Sequence, residues 1–369
     1  MSRRRADVFC RVVDNYGDAG VCWRLSRQFA SEHALDVTLW IERVATLARI
    51  EPAIDPQRDM QSVAGVNVRR IVDRDAHVSV PEIVVEAFGC GLPARHLDAI
   101  ARSARPPVWF NLEYLSAEPW VDSAHGLASV HPQLGVTRFF WFPGFTPKTG
   151  GLIRERRLLN ARDAWRARDA RSSDALRVLL FCYPNRALPA LFDAWAESDR
   201  AVRCTIPEAV ATAALDRWLG GDVPHVGAPI VRAHLTIDIV PFVAQDAFDR
   251  MLWDADVNFV RGEDSFVRGQ WAARPFVWQP YPQAENAHRA KLDAFLTRHL
   301  TTLDASLARA VKTFWHAFNS EDAQTIAGAW RDFEAALPAL EAHAEHWSRQ
   351  LAMLPELGTG MIDFARLRL

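Results

Sequence analysis

The start of the chain carries the pattern of a strand, a glycine-containing loop and a helix. An apolar run at residues 8–13 leads into residues 14–20, which contain Asp14, Asp18 and two glycines. A helical pattern over residues 21–30 follows. In open α/β sheets, ligands bind outside the carboxyl end of a strand, where such a loop lies. Because glycine lets the chain turn sharply, we predict a tight loop that presents both carboxylates.

Two interpretations of Asp14 and Asp18 are open at this point. In the simpler one, Asp14 caps a turn and Asp18 is the N-cap of the following helix. In the functional one, the two carboxylates act on a ligand. Asn15 and Tyr16 lie between them and bring more polar groups than a cap requires. That surplus favours the functional interpretation.

Strand-like and helix-like patterns then alternate along most of the chain, which predicts βαβ units and parallel sheets. Strands are predicted at residues 36–41, 66–72, 82–88, 107–112, 177–183, 202–206, 235–242, 257–260 and 275–279. Long aromatic loops are predicted at residues 113–120 and 139–151, and helices over 287–354. Long ordered loops in a compact domain are usually functional.

This alternation predicts two Rossmann-like α/β domains that face each other across a cleft. The first is placed at residues 1–153 and the second at 176–345. Between them, residues 154–175 are dense in Arg and Asp and are predicted to be a linker. Residues 346–369 are predicted to be a helical tail that packs back on the N-terminal domain.

Length, charge and cysteine usage narrow the class of protein. A chain of 369 residues with a net charge of -2 has room for two domains and no global basic field for nucleic acid. No apolar stretch reaches the length of a membrane span. The five cysteines are scattered without metal-ligand spacing, which is typical of reduced core thiols. We therefore expect a cytoplasmic protein with no nucleic-acid or membrane partner.

A second polar turn follows the strand predicted at 257–260. It consists of Arg261, Gly262, Glu263, Asp264 and Ser265, and a helical pattern continues from it. The N–H groups and dipole of a helix start suit a phosphate, and glycine permits close approach. Alternatively, Asp264 or Ser265 caps the helix and binds nothing. Glu263 suits ligand hydroxyls better than a phosphate. This turn is predicted to form one wall of the cleft, and residues 14–20 the other.

Four groups of residues together resemble one family. They are residues 14–18 with 21–25, residues 111–116, residues 142–145 with 149–152, and residues 258–266. They are similar to the bacterial elongation factor P arginine rhamnosyltransferases, the EarP family. The resemblance covers nearly the whole chain, and its segments occur in the expected order.

The resemblance implies the GT-B glycosyltransferase architecture and a specific reaction. The expected reaction moves L-rhamnose from dTDP-β-L-rhamnose to one arginine of elongation factor P (EF-P), with inversion at the anomeric carbon. The N-terminal domain is expected to receive EF-P and the C-terminal domain to hold the nucleotide sugar. Neither a cofactor nor a metal is expected, since no His/Cys cluster or clearly placed Asp-x-Asp motif is present.

The resemblance also implies roles for individual residues. Asp14, Asp18 and Glu263 match the essential acidic residues, and a single sequence does not decide which aspartate is the base. The residues expected at the donor are Asn15, Tyr16, Gly17, Phe181, Tyr183, Phe242, Gln245, Phe248, Arg261, Gly262, Glu263, Asp264 and Ser265. Phe181, Phe242 and Phe248 are expected to surround the nucleotide and sugar. A phenylalanine at one of these positions is otherwise an ordinary core residue.

Two other functional classes stay open at this stage. A GT-B nucleotide-sugar epimerase needs acid and base groups but no protein acceptor. A catalytically silent binding protein holds the sugar nucleotide without consuming it. Only the transferase requires EF-P to consume the sugar nucleotide, which distinguishes it from the epimerase and from the binding protein.

Overall fold

The structure, a computed structural model, describes residues 3–12, 16–72, 78–168, 174–221, 225–283 and 287–369. The chain divides into two units, residues 1–158 with 351–369 and residues 159–350. Residues 154–158 of the predicted linker thus belong to unit 1. A helix, Leu158–Arg166, occupies the part of the linker that follows. Residues 351–369, the end of the chain, are part of unit 1.

Unit 1 contains a sheet with described strands in the order β3-β4-β2-β1-β5-β6-β8-β7. These strands are β1 Arg5–Cys10, β2 Asp36–Ile41, β3 Met60–Val63, β4 Val66–Arg70, β5 Ile83–Ala87, β6 Val108–Leu112, β7 Ala128–Val130 and β8 Thr137–Trp141. The inner strands pair in parallel, and the two edge strands β3 and β7 pair antiparallel. Its described helices are α1 Gly17–Glu32, α2 Val44–Ile50, α3 Ala94–Ala101, α4 Val121–Ala124 and α14 Leu357–Arg366.

Unit 2 contains a second sheet, with described strands in the order β11-β12-β10-β9-β13-β14. These strands are β9 Leu176–Leu180, β10 Val202–Pro207, β11 Ile230–Arg232, β12 Leu235–Val240, β13 Val257–Arg261 and β14 Phe276–Gln279. All pair in parallel except the edge strand β11.

The helices of unit 2 cover this sheet and fill the C-terminal part of the unit. They are α5 Leu158–Arg166, α6 Leu188–Ala196, α7 Thr212–Leu219, α8 Gln245–Asp254, α9 Asp264–Trp271, α10 Ala287–His299, α11 Ala305–Asn319, α12 Ile326–Ala335 and α13 Leu337–Ala352. The prediction of parallel α/β sheets followed by a helical region is confirmed. Over the described residues of both units, no helix has the length and apolar character needed to cross a membrane.

One predicted aromatic loop is wrong in part, because residues 137–141 form strand β8. This strand pairs with β6 on one side and with β7 on the other. Phe139 and Trp141 pack on Phe364 of α14, with ring centroids 4.9 and 5.3 Å apart. A strand whose partners include a helix so far along the chain leaves little trace in its local sequence. The edge strands β3, β7 and β11 were missed for a similar reason, since short edge strands carry weak patterns.

The segment after β8 meets the returning end of the chain within unit 1. Leu152 forms a parallel bridge with Glu356, and the Leu357 N–H donates to the Leu152 carbonyl at 3.2 Å. The Arg154 guanidinium donates to the Ala352 carbonyl at 2.8 Å. Gly151 lies at the closest point, with a left-handed φ of +70°. Gly151 therefore allows a close crossing of two backbone segments.

Candidate functional site

On unit 1, Asp18 lies at the start of the helix that follows β1. Val13, Asp14 and Asn15 lie outside the described residues. Helix α1 begins at Gly17, with Tyr16 as its N-cap, and Asp18 is in its first turn. The Asp18 side chain is only 2 % exposed. A carboxylate in this position is favoured by the helix dipole.

The expected tight loop is wrong, and so is the alternative in which Asp18 caps the helix. Asp18 is not the N-cap, and Gly17 and Gly20 lie within α1 instead of forming a turn. The Gly20 N–H donates to the Tyr16 carbonyl at 2.8 Å, so the helix starts before its apolar pattern does. The apolar periodicity that predicted a start at Val21 cannot show a first turn made of Gly, Asp and Ala.

Two thiols near the carboxyl end of β1, those of Cys22 and Cys90, have raised pKa values. A hydrogen bond with Cys10, burial and nearby charges that include Asp18 hold the pKa of the Cys22 thiol well above its usual range. Burial, followed by the charge of Glu86, raises the pKa of Cys90 to about 12. A thiol with a raised pKa is a poor nucleophile.

On unit 2, four of the predicted donor residues come together at the carboxyl edge of the sheet. Phe181 follows β9 directly, and its ring centroid is 5.1 Å from that of Phe248 on α8. The Arg261 guanidinium carbon, at the end of β13, is 4.3 Å from the ring centroid of Phe181 and 4.8 Å from that of Tyr183. Arg261 also donates to the Cys182 carbonyl at 2.9 Å. These contacts form a rigid aromatic and cationic surface.

Phe242 follows a strand of the same sheet without being part of it. Strand β12 ends at Val240, and Phe242 is half-buried two residues beyond it, just before α8. Phe181 and Phe242 were predicted inside strands, but β9 and β12 end one and two residues earlier. Both aromatic side chains therefore belong to the edge loops, where ligands bind in open α/β sheets.

The turn between β13 and α9 is held in shape by hydrogen bonds on both sides. The Ser265 hydroxyl donates to the Arg261 carbonyl at 2.6 Å and accepts from the Arg261 N–H at 2.9 Å. Gly262 has a φ of +59°, and its carbonyl accepts from Trp278 Nε1 at 2.8 Å. The N-cap of α9 is Glu263, so the alternative in which Asp264 or Ser265 caps this helix is wrong.

The Glu263 carboxylate makes no capping bond to its own helix. Glu263 and Asp264 are both half-buried. The first N–H groups of an α-helix have no acceptor within the helix, and they lie at the positive end of its dipole. The turn at residues 262–265 therefore combines carboxylate acceptors with backbone donors, which suits a ligand that carries both hydroxyls and phosphates.

The structure adds four residues that the sequence interpretation missed. Asp249 and Arg268 form a buried ion pair between α8 and α9, with oxygen–nitrogen distances of 2.9 and 2.6 Å. Gln279 accepts from the Tyr183 N–H at 2.9 Å, and Tyr281 lies 5.6 Å from the Tyr183 ring. The sequence did contain a signal for the ion pair. Asp249 and Arg268 follow the predicted donor residues Gln245 and Asp264 by four positions, which places each on the same face of its helix.

The described residues contain no group of three or more His, Cys, Asp or Glu side chains that could hold a metal ion. Among the predicted acidic site residues, Asp18 belongs to unit 1. Glu263 and Asp264 are neighbours at the start of α9 in unit 2. The described part of the site offers acid–base groups, aromatic surface and backbone donors.

Comparison with known proteins identifies the family. The model of a family described as "Elongation-Factor P (EF-P) rhamnosyltransferase EarP" matches residues 6–366. The chain belongs to the EarP family. A relative in Pseudomonas putida, named protein-arginine rhamnosyltransferase, is 42 % identical over 98 % of this chain and 98 % of its own. The resemblance inferred from the four groups of residues is therefore confirmed.

Solved structures agree with this EarP assignment. One described as "Structural basis for EarP-mediated arginine glycosylation of translation elongation factor EF-P" is 31 % identical, covers 100 % of both chains and has a TM-score of 0.70. The calicheamicin glycosyltransferase CalG4 covers 100 % of both chains with a TM-score of 0.51 at 12 % identity, a likeness in fold alone. The predicted GT-B glycosyltransferase fold is confirmed.

Proposed function

We propose that this EarP-family protein transfers L-rhamnose from dTDP-β-L-rhamnose to one arginine side chain of EF-P, with inversion at the anomeric carbon. The observation that carries the proposal is the 42 % identity, over 98 % of both chains, to a protein-arginine rhamnosyltransferase. The family model that matches residues 6–366 is that of an EF-P rhamnosyltransferase, which supports EF-P as the acceptor. Since EF-P acts in translation, the proposal includes a cytoplasmic location for the reaction.

The proposed donor site is the carboxyl edge of the unit 2 sheet. Thymine and the methyl group of rhamnose are apolar surfaces that gain from contact with Phe181 and Phe248. The diphosphate is held by backbone N–H groups at the start of α9, and Arg261 supplies positive charge at the same edge. Glu263 accepts hydrogen bonds from sugar or ribose hydroxyls. Tyr183 and Gln245 border this surface.

The proposed acceptor chemistry belongs to unit 1. A guanidinium has a pKa above about 12 and is a poor nucleophile while protonated. Carboxylates match its fork geometry and can take a proton as the new bond forms. We assign Asp18 as the base and Asp14 as the residue that orients the arginine, and the opposite assignment is tested below. Asn15, Tyr16 and Gly17 are proposed to border the donor from this side.

The proposed step is a single displacement. A guanidinium nitrogen attacks the anomeric carbon, the bond from that carbon to the diphosphate oxygen breaks, and the electron pair leaves with dTDP. The proton lost by the nitrogen passes to the carboxylate. One displacement inverts the anomeric centre without a covalent enzyme intermediate. The leaving charge is stabilised by the backbone donors and Arg261 without a metal ion.

Intact-mass analysis of EF-P tests this proposal directly. EF-P is incubated with the protein and dTDP-β-L-rhamnose, and we expect a mass increase of one rhamnosyl group on one arginine. NMR of the product linkage reports the inversion. Consumption of the sugar nucleotide without EF-P would indicate an epimerase. Binding of the sugar nucleotide without any consumption would indicate a silent binding protein.

Removing an aromatic wall should weaken donor binding. For Phe181→Ala, Phe242→Ala and Phe248→Ala we expect a loss of about 1–3 kcal/mol each, roughly ten- to a hundredfold in affinity. Calorimetric titration with dTDP-β-L-rhamnose measures it. Phe333→Ala is the control, because Phe333 packs on Phe314 in the helical part of unit 2, with ring centroids 4.9 Å apart. Parental affinity in all three folded variants would place the donor elsewhere.

Metal chelation should leave the activity unchanged. The proposed displacement uses backbone N–H groups and a guanidinium where many glycosyltransferases use a divalent cation. We therefore expect equal initial rates of EF-P modification with and without excess EDTA. A loss of rate that added Mg²⁺ or Mn²⁺ restores would contradict the proposal.

A further inference from the structure

Helices α8 and α9, which carry several of the proposed donor residues, are joined by two polar contacts one helical turn apart. At the carboxyl edge of the sheet, Gln245 Nε2 donates to Asp264 Oδ2 at 3.1 Å. One turn further along both helices, Arg268 Nε and Nη2 donate to the two carboxylate oxygens of Asp249 at 2.9 and 2.6 Å. The spacing of four residues is the same on each helix, so the two contacts lie one above the other.

The deeper contact is almost fully removed from solvent. The side chains of Arg268 and Asp249 are 2 % and 6 % exposed. Burying two charges carries a large desolvation cost, and an apolar pair of similar volume often gives equal or greater stability. The ion pair is therefore not explained by a contribution to net stability. Its bidentate geometry explains it better, because a guanidinium fork fixes the direction as well as the distance between the two helices.

We propose that Arg268 and Asp249 are positioning residues that set the register of α8 against α9 and thereby shape the donor site. This inference rests on the proposed donor site in unit 2. One turn away from the contact between Gln245 and Asp264, the bidentate pair fixes both the distance and the direction between the two helices.

Both helices would carry a change of register directly to the donor. Phe248 precedes Asp249 in the chain, and its ring packs on Phe181. On the other helix, Ser265 lies three residues before Arg268 and is hydrogen-bonded to the backbone of Arg261. A shift between α8 and α9 would thus move an aromatic wall relative to the turn that holds Glu263. Losing an aromatic contact in this way is expected to weaken donor affinity on the order of ten- to a hundredfold.

Two variants separate the positioning role from a general role in stability. Arg268→Lys keeps the charge and removes the fork, and the double variant Asp249→Leu/Arg268→Met removes both charges without leaving one unpaired. The double variant is expected to fold, since no buried charge is left without its partner. For both we expect the calorimetric Kd and the KM for dTDP-β-L-rhamnose to rise on the order of 10- to 100-fold, with the KM for EF-P unchanged.

Two control variants show what a merely structural loss does. Glu341→Gln breaks the ion pair with Arg274, whose N–O distance is 3.4 Å, elsewhere in unit 2. Phe333→Leu lowers stability through the core of the helical region. Even where a control lowers the melting temperature, it should leave the donor Kd unchanged, because Kd is a property of the folded fraction.

The outcomes are distinguishable from a failure of the proposed function. If parental protein neither binds dTDP-β-L-rhamnose nor modifies EF-P, the proposed function is wrong and the positioning role falls with it. If the parent is active and either Arg268→Lys or the double variant binds the donor with parental Kd, the positioning proposal alone is overturned. Raised donor Kd and KM in both variants, with parental values in both controls, support it.

Discussion

Asp18→Asn should lower the rate of EF-P rhamnosylation by on the order of 10²–10⁴-fold while dTDP-β-L-rhamnose still binds with parental affinity. Asparagine has nearly the same shape as aspartate, so a side chain that is 2 % exposed should keep its place. The amide cannot take the proton that the acceptor arginine loses. Initial rates from the intact mass of EF-P and calorimetric titration of the donor measure the two parts of this expectation.

A matched control is available in the same unit. Asp7 on β1 is also a buried carboxylate, and one of its oxygens accepts from Trp40 Nε1 at 3.0 Å. Asp7→Asn retains an oxygen acceptor for that bond and should transfer rhamnose at the parental rate. Near-normal turnover in Asp18→Asn would remove Asp18 from the mechanism.

The division of roles between the two aspartates has its own readout. If Asp14 orients the acceptor, Asp14→Asn should mainly raise the KM for EF-P, whereas Asp18→Asn should mainly lower kcat. The reverse pattern would assign the base to Asp14. Equal losses of kcat in both variants would indicate that the pair acts as a unit.

Gly151→Ala should destabilise unit 1 by about 2–4 kcal/mol. The backbone at Gly151 has a φ of +70°, a conformation that L-residues adopt at a cost. A methyl carbon added there would lie 1.7 Å from the carbonyl oxygen of Pro355, so one of the two backbone segments must move. Urea denaturation followed by circular dichroism measures the loss as a lower midpoint.

The same substitution at Gly328 should have the opposite sign. Gly328 lies inside α12, and an added methyl carbon would meet no atom within 4 Å. Alanine in a helix interior is more stable than glycine by about 0.5–1 kcal/mol.

A parental midpoint for Gly151→Ala would mean that residues 150–154 and 352–357 do not cross as closely as the structure has them.

The candidate functional residues were predicted from where strands end, because the carboxyl ends of parallel strands meet at one edge of the sheet. Alternation of apolar runs and helices placed Phe181, Arg261 and the turn after β13 near one sheet edge, and the structure brings Phe181 and Arg261 into contact. The start of helix α1 was harder to predict, because a first turn containing two glycines resembles a loop in the sequence. The sequence therefore placed Asp18 before the helix, whereas the structure has it in the first turn.

The sequence by itself determined the alternation of helices with most of the inner strands, the parallel pairing of those strands and the family. These properties follow from local patterns, because side-chain period and turn residues act over a few positions. Only the tertiary structure decided which distant residues meet. Gly151 is required by Pro355, β8 forms beside β6 and α14, and Arg268 finds Asp249 on a neighbouring helix. Such contacts join segments that are far apart in the chain, so no local pattern specifies them.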